Sequence, residues 1–217
     1  MFRQLGITRV ESVEDLIATA GAFAEFGPIR GRRLGVVTTS GGAAGLIADL
    51  AERYGVELPA FSETTRDRLL GGILPSGVRP NNPLDATGHI ITNPELSSQV
   101  RGAIANDSGI DVALFTYRGA PADASEDAVS RYRMIDSGLT EIIGKSPVPV
   151  VLSAFVEEGV SAPGRTLRDE LGLPNPIPSL ARAVPAIGRI MQWTEWRSET
   201  FDEKVDLASE GVSGVLA

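Results

Sequence analysis

The sequence predicts an α/β domain with a doubly wound, mainly parallel sheet, in a flavodoxin-like or Rossmann-like three-layer arrangement. Three observations predict it. Short apolar runs alternate with segments whose apolar residues recur at helical spacing. The runs are apolar along their whole length, as strands covered on both faces must be. Gly, Pro and Asn punctuate the joins between them. Ligands of such sheets sit beyond the carboxyl ends of the strands, so the loops after Thr38, Phe115 and Ser153 are the ones to search.

Taken in order, residues 11–26 place Val13, Leu16, Ile17, Ala20 and Phe23 at helical spacing, with Ser12 as N-cap and Asp15 three residues later. Gly27-Pro28 ends that helix. Residues 32–39, RRLGVVTT, read as a buried strand, and residues 41–55 as a helix closed by Gly55. Ser62 caps a further helical pattern over 62–73. Residues 80–88, PNNPLDATG, are too rich in Pro, Asn and Gly for regular structure. A helix follows at 93–107, a strand at 110–117, a long amphipathic helix at 124–144 and a strand at 147–155. The last helix, 179–198, is expected to be interrupted or kinked at Pro185. Residues 198–217 are acidic and small, in the manner of a linker or the edge of a missing neighbour.

Composition narrows the function. The 217 residues suffice for one α/β domain with its own core plus extensions. A net charge of −8 with no basic patch argues against nucleic acid and anionic membranes as partners. The absence of cysteine excludes disulfides and thiolate metal sites and fits a reducing cytoplasm. There is no apolar run of membrane-spanning length and no charged-then-apolar leader. No His/Cys/Asp/Glu spacing suggests a metal site.

The stretch Ser40-Gly41-Gly42-Ala43-Ala44-Gly45 joins the first strand to the second helix. A helix N-terminus presents free N–H groups and about half a positive charge, and small residues let an anion reach the backbone. The same residues also allow a helix to pack tightly on a strand, and both readings stand on spacing alone. The turn lacks the G-x-G-x-x-G of dinucleotide sites and the terminal Lys-Ser/Thr of nucleotide-hydrolase loops.

Residues 36–88, with their S-G-G-x-x-G turn, Glu57-Leu58-Pro59 and N-P-L-D-x-T-G ending at Gly88, closely resemble the NDP-forming acyl-CoA synthetases, the superfamily of acetate–CoA ligase and succinyl-CoA synthetase. The likeness continues more loosely through DVALFTYRGA, PVPVVLSAF and GLPNPIPSLARAV. It implies a CoA-ligase domain over 31–197, a helical lead-in over 1–30, and at 198–217 the approach to an ATP-grasp domain. In that family a histidine carries a phosphoryl group from ATP to a carboxylic acid, and CoA then displaces phosphate. Helix N-termini from two flavodoxin-like domains face the phosphohistidine. The resemblance implies that the helix beginning near Gly42 is one of them, with Ser40, Gly41, Gly42 and Ala43 as an anion cradle.

The remaining candidates each have two roles open. Asp85 caps the following turn or touches substrate. Asn81 and Asn82 bind an anion or satisfy backbone groups. Arg118, with Gly119 and Ala120, sits where the family loop lines the acyl site; it contacts a carboxylate or phosphate, or is a solvated surface residue. Trp193 and Trp196, three apart on the last helix, cover a core edge. The single histidine, His89, is assigned no chemistry, since the resemblance places the nucleophilic histidine before Met1. No catalytic residue is therefore expected here, and the complete enzyme would need CoA, ATP and Mg, with CoA-binding and ATP-grasp partners. Two other classes compete: a flavin module, because TTSGG also resembles a flavodoxin phosphate loop, and a non-catalytic interaction subunit.

Overall fold

In a computed structural model that describes residues 2–156 and 160–210, the first apolar run becomes β1 (Leu34–Thr38). It is flanked by α1 (Val13–Phe26) and α2 (Gly41–Tyr54). The expected caps are in place: Ser12 Oγ accepts from the Asp15 N–H at 3.1 Å, and Gly55 closes α2 with φ 68°. Helix α3 (Glu63–Arg68) widens into a π turn over Leu69–Ile73, where Gly72 takes φ 122°. The segment read as irregular contains a two-residue strand, β2 (Leu84–Asp85), and the short α4 (His89–Thr92) follows it. Next come α5 (Pro94–Ala105), β3 (Val112–Thr116), α6 (Glu126–Lys145), β4 (Val150–Ser153), α7 (Ala162–Leu171) and α8 (Leu180–Glu210).

The four strands are parallel in the order β2-β1-β3-β4. Beyond β4, Ile177 pairs in parallel with Ser153, so the sheet extends in the order of the flavodoxin type. The chain leaves β1 toward β2 on one side and returns to β3 on the other. The switch point, and with it the ligand crevice, lies between the loops after β1 and β3.

Period-two side-chain alternation along the strands produces the three layers. Leu34, Val36, Val112, Leu114 and Val151 meet Ile47 of α2, Ala18 and Ala22 of α1, and Val184, Ile187 and Ile190 of α8. Val37, Ala113, Phe115, Val150 and Leu152 face the other way, toward Val100 and Ile104 of α5 and Leu139 of α6. The 1–30 segment is thus packed into the same core as β1. Arg182 of α8 donates to Asp15 at 2.9 Å beside the α1 N-terminus.

Two helices depart from the sequence reading. Helix α7 was not anticipated, although Ser161 at its N-cap and Gly172 at φ 63° beyond its end are a standard pair of signals. Pro185 does not interrupt α8; it is buried in the second turn, where flanking Val184, Ala186 and Ile187 pack into the core and offset one lost hydrogen bond. The same helix continues past Ser198 to Glu210, with no Gly or Pro until Gly211. Residues 211–217 of the expected linker lie outside the described residues. Gly188 has a packing role, because a Cβ there would come within 2.9 Å of the Tyr54 carbonyl oxygen at the end of α2.

Candidate functional site

At the carboxyl edge of β1, Ser40 takes an extended conformation and caps α2, its Oγ accepting from the Ala43 N–H at 3.4 Å. The Ala44 N–H is used by the Ser40 carbonyl at 3.0 Å. The N–H groups of Gly41 and Gly42 are the first-turn donors left over, on two exposed residues. Asp85, at the end of β2, stands beside them: its Oδ2 lies 3.4 Å from where a Gly41 Cβ would be. Its other oxygen accepts from the Thr87 N–H at 2.9 Å, fixing a turn in which Thr87 takes φ 60°. Thr38 Oγ1, fully buried in the last residue of β1, has no hydrogen-bond partner among the described residues.

Next to this edge a cavity of about 360 Å³ opens at the switch point. It is bounded by Thr39 after β1, by Thr116 through Gly119 after β3, and by Ala154 through Val156 after β4. Gly119 makes the turn with φ 66°, and a side chain there would press on the Tyr117 ring at 3.4 Å. Ile91 and Tyr132 add apolar wall, Arg118 stands exposed at the rim, and three polar side chains line the buried part. Arg101 of α5 is 8% exposed and Asp136 of α6 is 3% exposed. The Tyr117 hydroxyl donates to Asp136 Oδ2 at 3.1 Å. Arg101 is steadied by one bond, Nη1 to Ser97 Oγ at 2.7 Å, while its Nε is buried without an acceptor among the described residues.

Burial sets the protonation of this cluster. It pushes the Asp136 carboxyl up to about 6, against the pull of the Arg101 charge and the Tyr117 hydrogen bond. It also raises the Tyr117 hydroxyl and lowers the Arg101 guanidinium. The fold therefore favours neutral Asp136, a contribution fully present below about pH 4 and lost as the pH rises through 6. Asparagine at 136 removes that loss. The stability of Asp136→Asn relative to the parent should climb by roughly 3 kcal/mol between pH 4 and pH 8. Urea unfolding across that range checks it, and a flat difference refutes the assignment.

No protein-family model matches the chain. Among curated proteins it is 22% identical to the alpha subunit of ADP-forming acetate–CoA ligase I of Pyrococcus furiosus, over 91% of this chain and 40% of that subunit. It is 27% identical to ADP-forming acetate–CoA ligase I of Archaeoglobus fulgidus, over 96% of this chain and 28% of that protein. The chain is similar to ADP-forming acetate–CoA ligases. It spans less than half the length of these ligases. Its fold is shared with a dinucleotide forming acetyl-coenzyme A synthetase 1 of Candidatus Korarchaeum cryptofilum, at TM-score 0.70 and 20% identity over 93% of this chain and 42% of that one. That synthetase has also been solved with phosphate and ADP. A flavin module finds no support among these relatives.

Relative to the ligase expectation, the structure gathers Ser40, Gly41, Gly42, Ala43 and Asp85 at one edge and puts Arg118 and Gly119 at the neighbouring rim. Within the cradle, Ala43 is buried and its N–H serves the cap, leaving the donors of Gly41 and Gly42. Asp85 adopts the turn-holding role. Asn82 takes the backbone-satisfying role rather than the anion-binding one: Oδ1 accepts from the Val36 N–H at 3.1 Å, and Nδ2 donates to the Leu34 and Pro59 carbonyls at 2.7 and 3.0 Å. These bonds fill the gap on the β1 edge between the Arg33–Glu57 bridge and β2. Trp193 packs edge-on to Phe23 of α1, and Trp196 lies against Gly6. His89 opens α4, but its side chain lies outside the described residues.

Sequence reasoning missed Arg101, Tyr117 and Asp136. The signal was present: Arg101 falls between Val100 and Ile104 on the apolar face of α5, and Asp136 is three residues before Leu139 on that of α6. Charged residues on buried helical faces need partners.

Proposed function

We propose that the chain is a module of an NDP-forming acid–CoA ligase, which converts a carboxylic acid, CoA and ATP to acyl-CoA, ADP and phosphate. One observation supports this most directly: two unpartnered glycine N–H groups at the start of α2, on the ligand-binding edge of a parallel sheet, in a chain related to ADP-forming acetate–CoA ligases. In phosphoryl transfer the protein chiefly positions groups and stabilises charge. The Gly41 and Gly42 donors and the α2 dipole would face the phosphoryl group of a phosphohistidine borne outside this chain. Asp85 limits how close that anion approaches, and Arg118 is placed to meet the acyl phosphate from the cavity side.

The CoA-binding and ATP-grasp parts belong to partner domains or subunits, with Mg2+ accompanying ATP there. Among the described residues no cluster of three or more His, Cys, Asp or Glu side chains is placed to hold a metal. No helix among them is long and apolar enough to cross a membrane. We place the ligase in the cytoplasm, consistent with the absence of cysteine.

Titration of the chain with inorganic phosphate should move the amide resonances of Gly41 and Gly42 most. Shifts clustering away from residues 39–45 overturn the cradle. Acid- and ATP-dependent CoA consumption by the 217-residue chain alone overturns the module reading.

A further inference from the structure

We propose that the outward face of α1 is an interface between two copies of this chain, packed antiparallel about a two-fold axis. The inference is independent of the ligase reading and goes beyond it.

The first observation is a helix turned inside out. Most of the apolar residues whose spacing predicts α1 are not the ones it buries. Val13, Leu16 and Ile17 are 68%, 53% and 67% exposed, and Ala20 is exposed as well. Ala18, Thr19 and Ala22 form the buried side instead. Ion pairs hold the helix in this orientation. Asp15 points inward to Arg182 at 2.9 Å and to Arg189 at 3.5 Å, and Arg189 also donates to Thr19 at 3.4 Å. Turning the apolar stripe inward would break these contacts and leave Arg189 buried without its partner. A stripe of this kind ordinarily faces a packing partner, and the described residues of this chain supply none.

The second observation is the order of sizes along the stripe, and it selects the occupant. Large side chains fill the first half, and the exposed Ala20, Gly21 and Ala24 fill the second. Laid antiparallel on itself, with the two-fold axis midway between positions 18 and 19, the stripe sets Val13 against Ala24, Leu16 against Gly21 and Ile17 against Ala20. Every large residue meets a small one, and symmetry makes each contact twice. A Cβ on Gly21 would meet nothing within 4 Å, so the space over it is open to Leu16 of the other copy. The stripe exposes on the order of 450 Å², so a pair hides about 900 Å², below the size of stable complexes and suited to a weak, reversible dimer. Charge weakens it further. Glu14 and Glu25, three turns apart, border one side of the stripe, and the antiparallel packing brings Glu14 of one copy beside Glu25 of the other.

Sedimentation equilibrium of the 217-residue chain should show monomer and dimer with a Kd on the order of 0.1 mM, tightening as salt screens the glutamates. Glu25→Lys, which faces Glu14 of the other copy at both ends, should tighten it about tenfold. Ile17→Lys, at an exposed position, should give a monomer of parental melting temperature. Ile17→Ala and Ala20→Ile should each weaken the dimer about tenfold. The double variant, which exchanges large for small at facing positions, should recover it. A chain still monomeric at about 1 mM, a dimer indifferent to Ile17→Lys, or a double variant as weak as the single ones overturns the inference. A soluble paramagnetic agent then tells what else covers the face. In a monomer, relaxed Leu16 and Ile17 methyl signals assign it to another protein, and protected ones to residues of this chain; either result excludes the second copy.

Discussion

Replacement of Gly42 by valine is expected to slow phosphoryl transfer about a hundredfold in the complete ligase, the usual effect of losing one oriented donor to a developing anion. The fold should be indifferent to the change. Gly42 is exposed, and an added Cβ meets only Ser40 Oγ at 3.8 Å. The valine branches would instead stand over the Gly41 and Gly42 N–H groups and hold an anion away from them. Nucleotide affinity should stay near the parental value, because the cradle is proposed to meet the phosphoryl group and not ATP. Radiolabelled transfer from ATP to the phosphoenzyme and on to the acid measures both steps. His89→Ala, run beside it, should keep its phosphoenzyme. A normal rate in Gly42→Val, or a lost phosphoenzyme in His89→Ala, removes the site from this edge.

Asn82→Ala should be among the most destabilising single changes in the chain, although the residue lies in a segment that reads as a loop. The alanine leaves the Val36 N–H and the Leu34 and Pro59 carbonyls without their partner, and Leu34 and Val36 are fully buried. At about 1–3 kcal/mol for each unsatisfied buried group, the loss should reach at least about 3 kcal/mol. In a domain of this size that lowers the melting temperature by roughly 6–12 °C. Asn82→Asp should fare no better, since it keeps the acceptor but gives up both donations and adds a charge. Thermal unfolding measures the effect, and phosphate titration below the transition separates it from anion binding. A variant with parental stability but no phosphate response would return Asn82 to the anion site.

The layered α/β class was legible in the chain because strand burial on two faces and amphipathic helix spacing are local patterns. So were the caps at Ser12, Ser62 and Gly55, where one side chain or one backbone conformation answers to neighbours a few residues away. The small-residue turn after β1 could be found for the same reason: a helix N-terminus and its free donors are built from consecutive residues. What tertiary structure decided are pairings over long separations. Asn82 was a turn residue in the sequence; only when it lies across β1, 46 residues from Val36, does it become part of the sheet. Two residues suffice for β2 because the fold supplies β1 as a template. Arg101 stands on α5, Tyr117 just after β3 and Asp136 on α6; the apolar helix faces mark the two charged residues as needing partners, and only the fold says which partners they meet. Their meeting at the switch point, and the altered protonation of Asp136 there, arise from desolvation by residues distant in the chain, which no local pattern encodes.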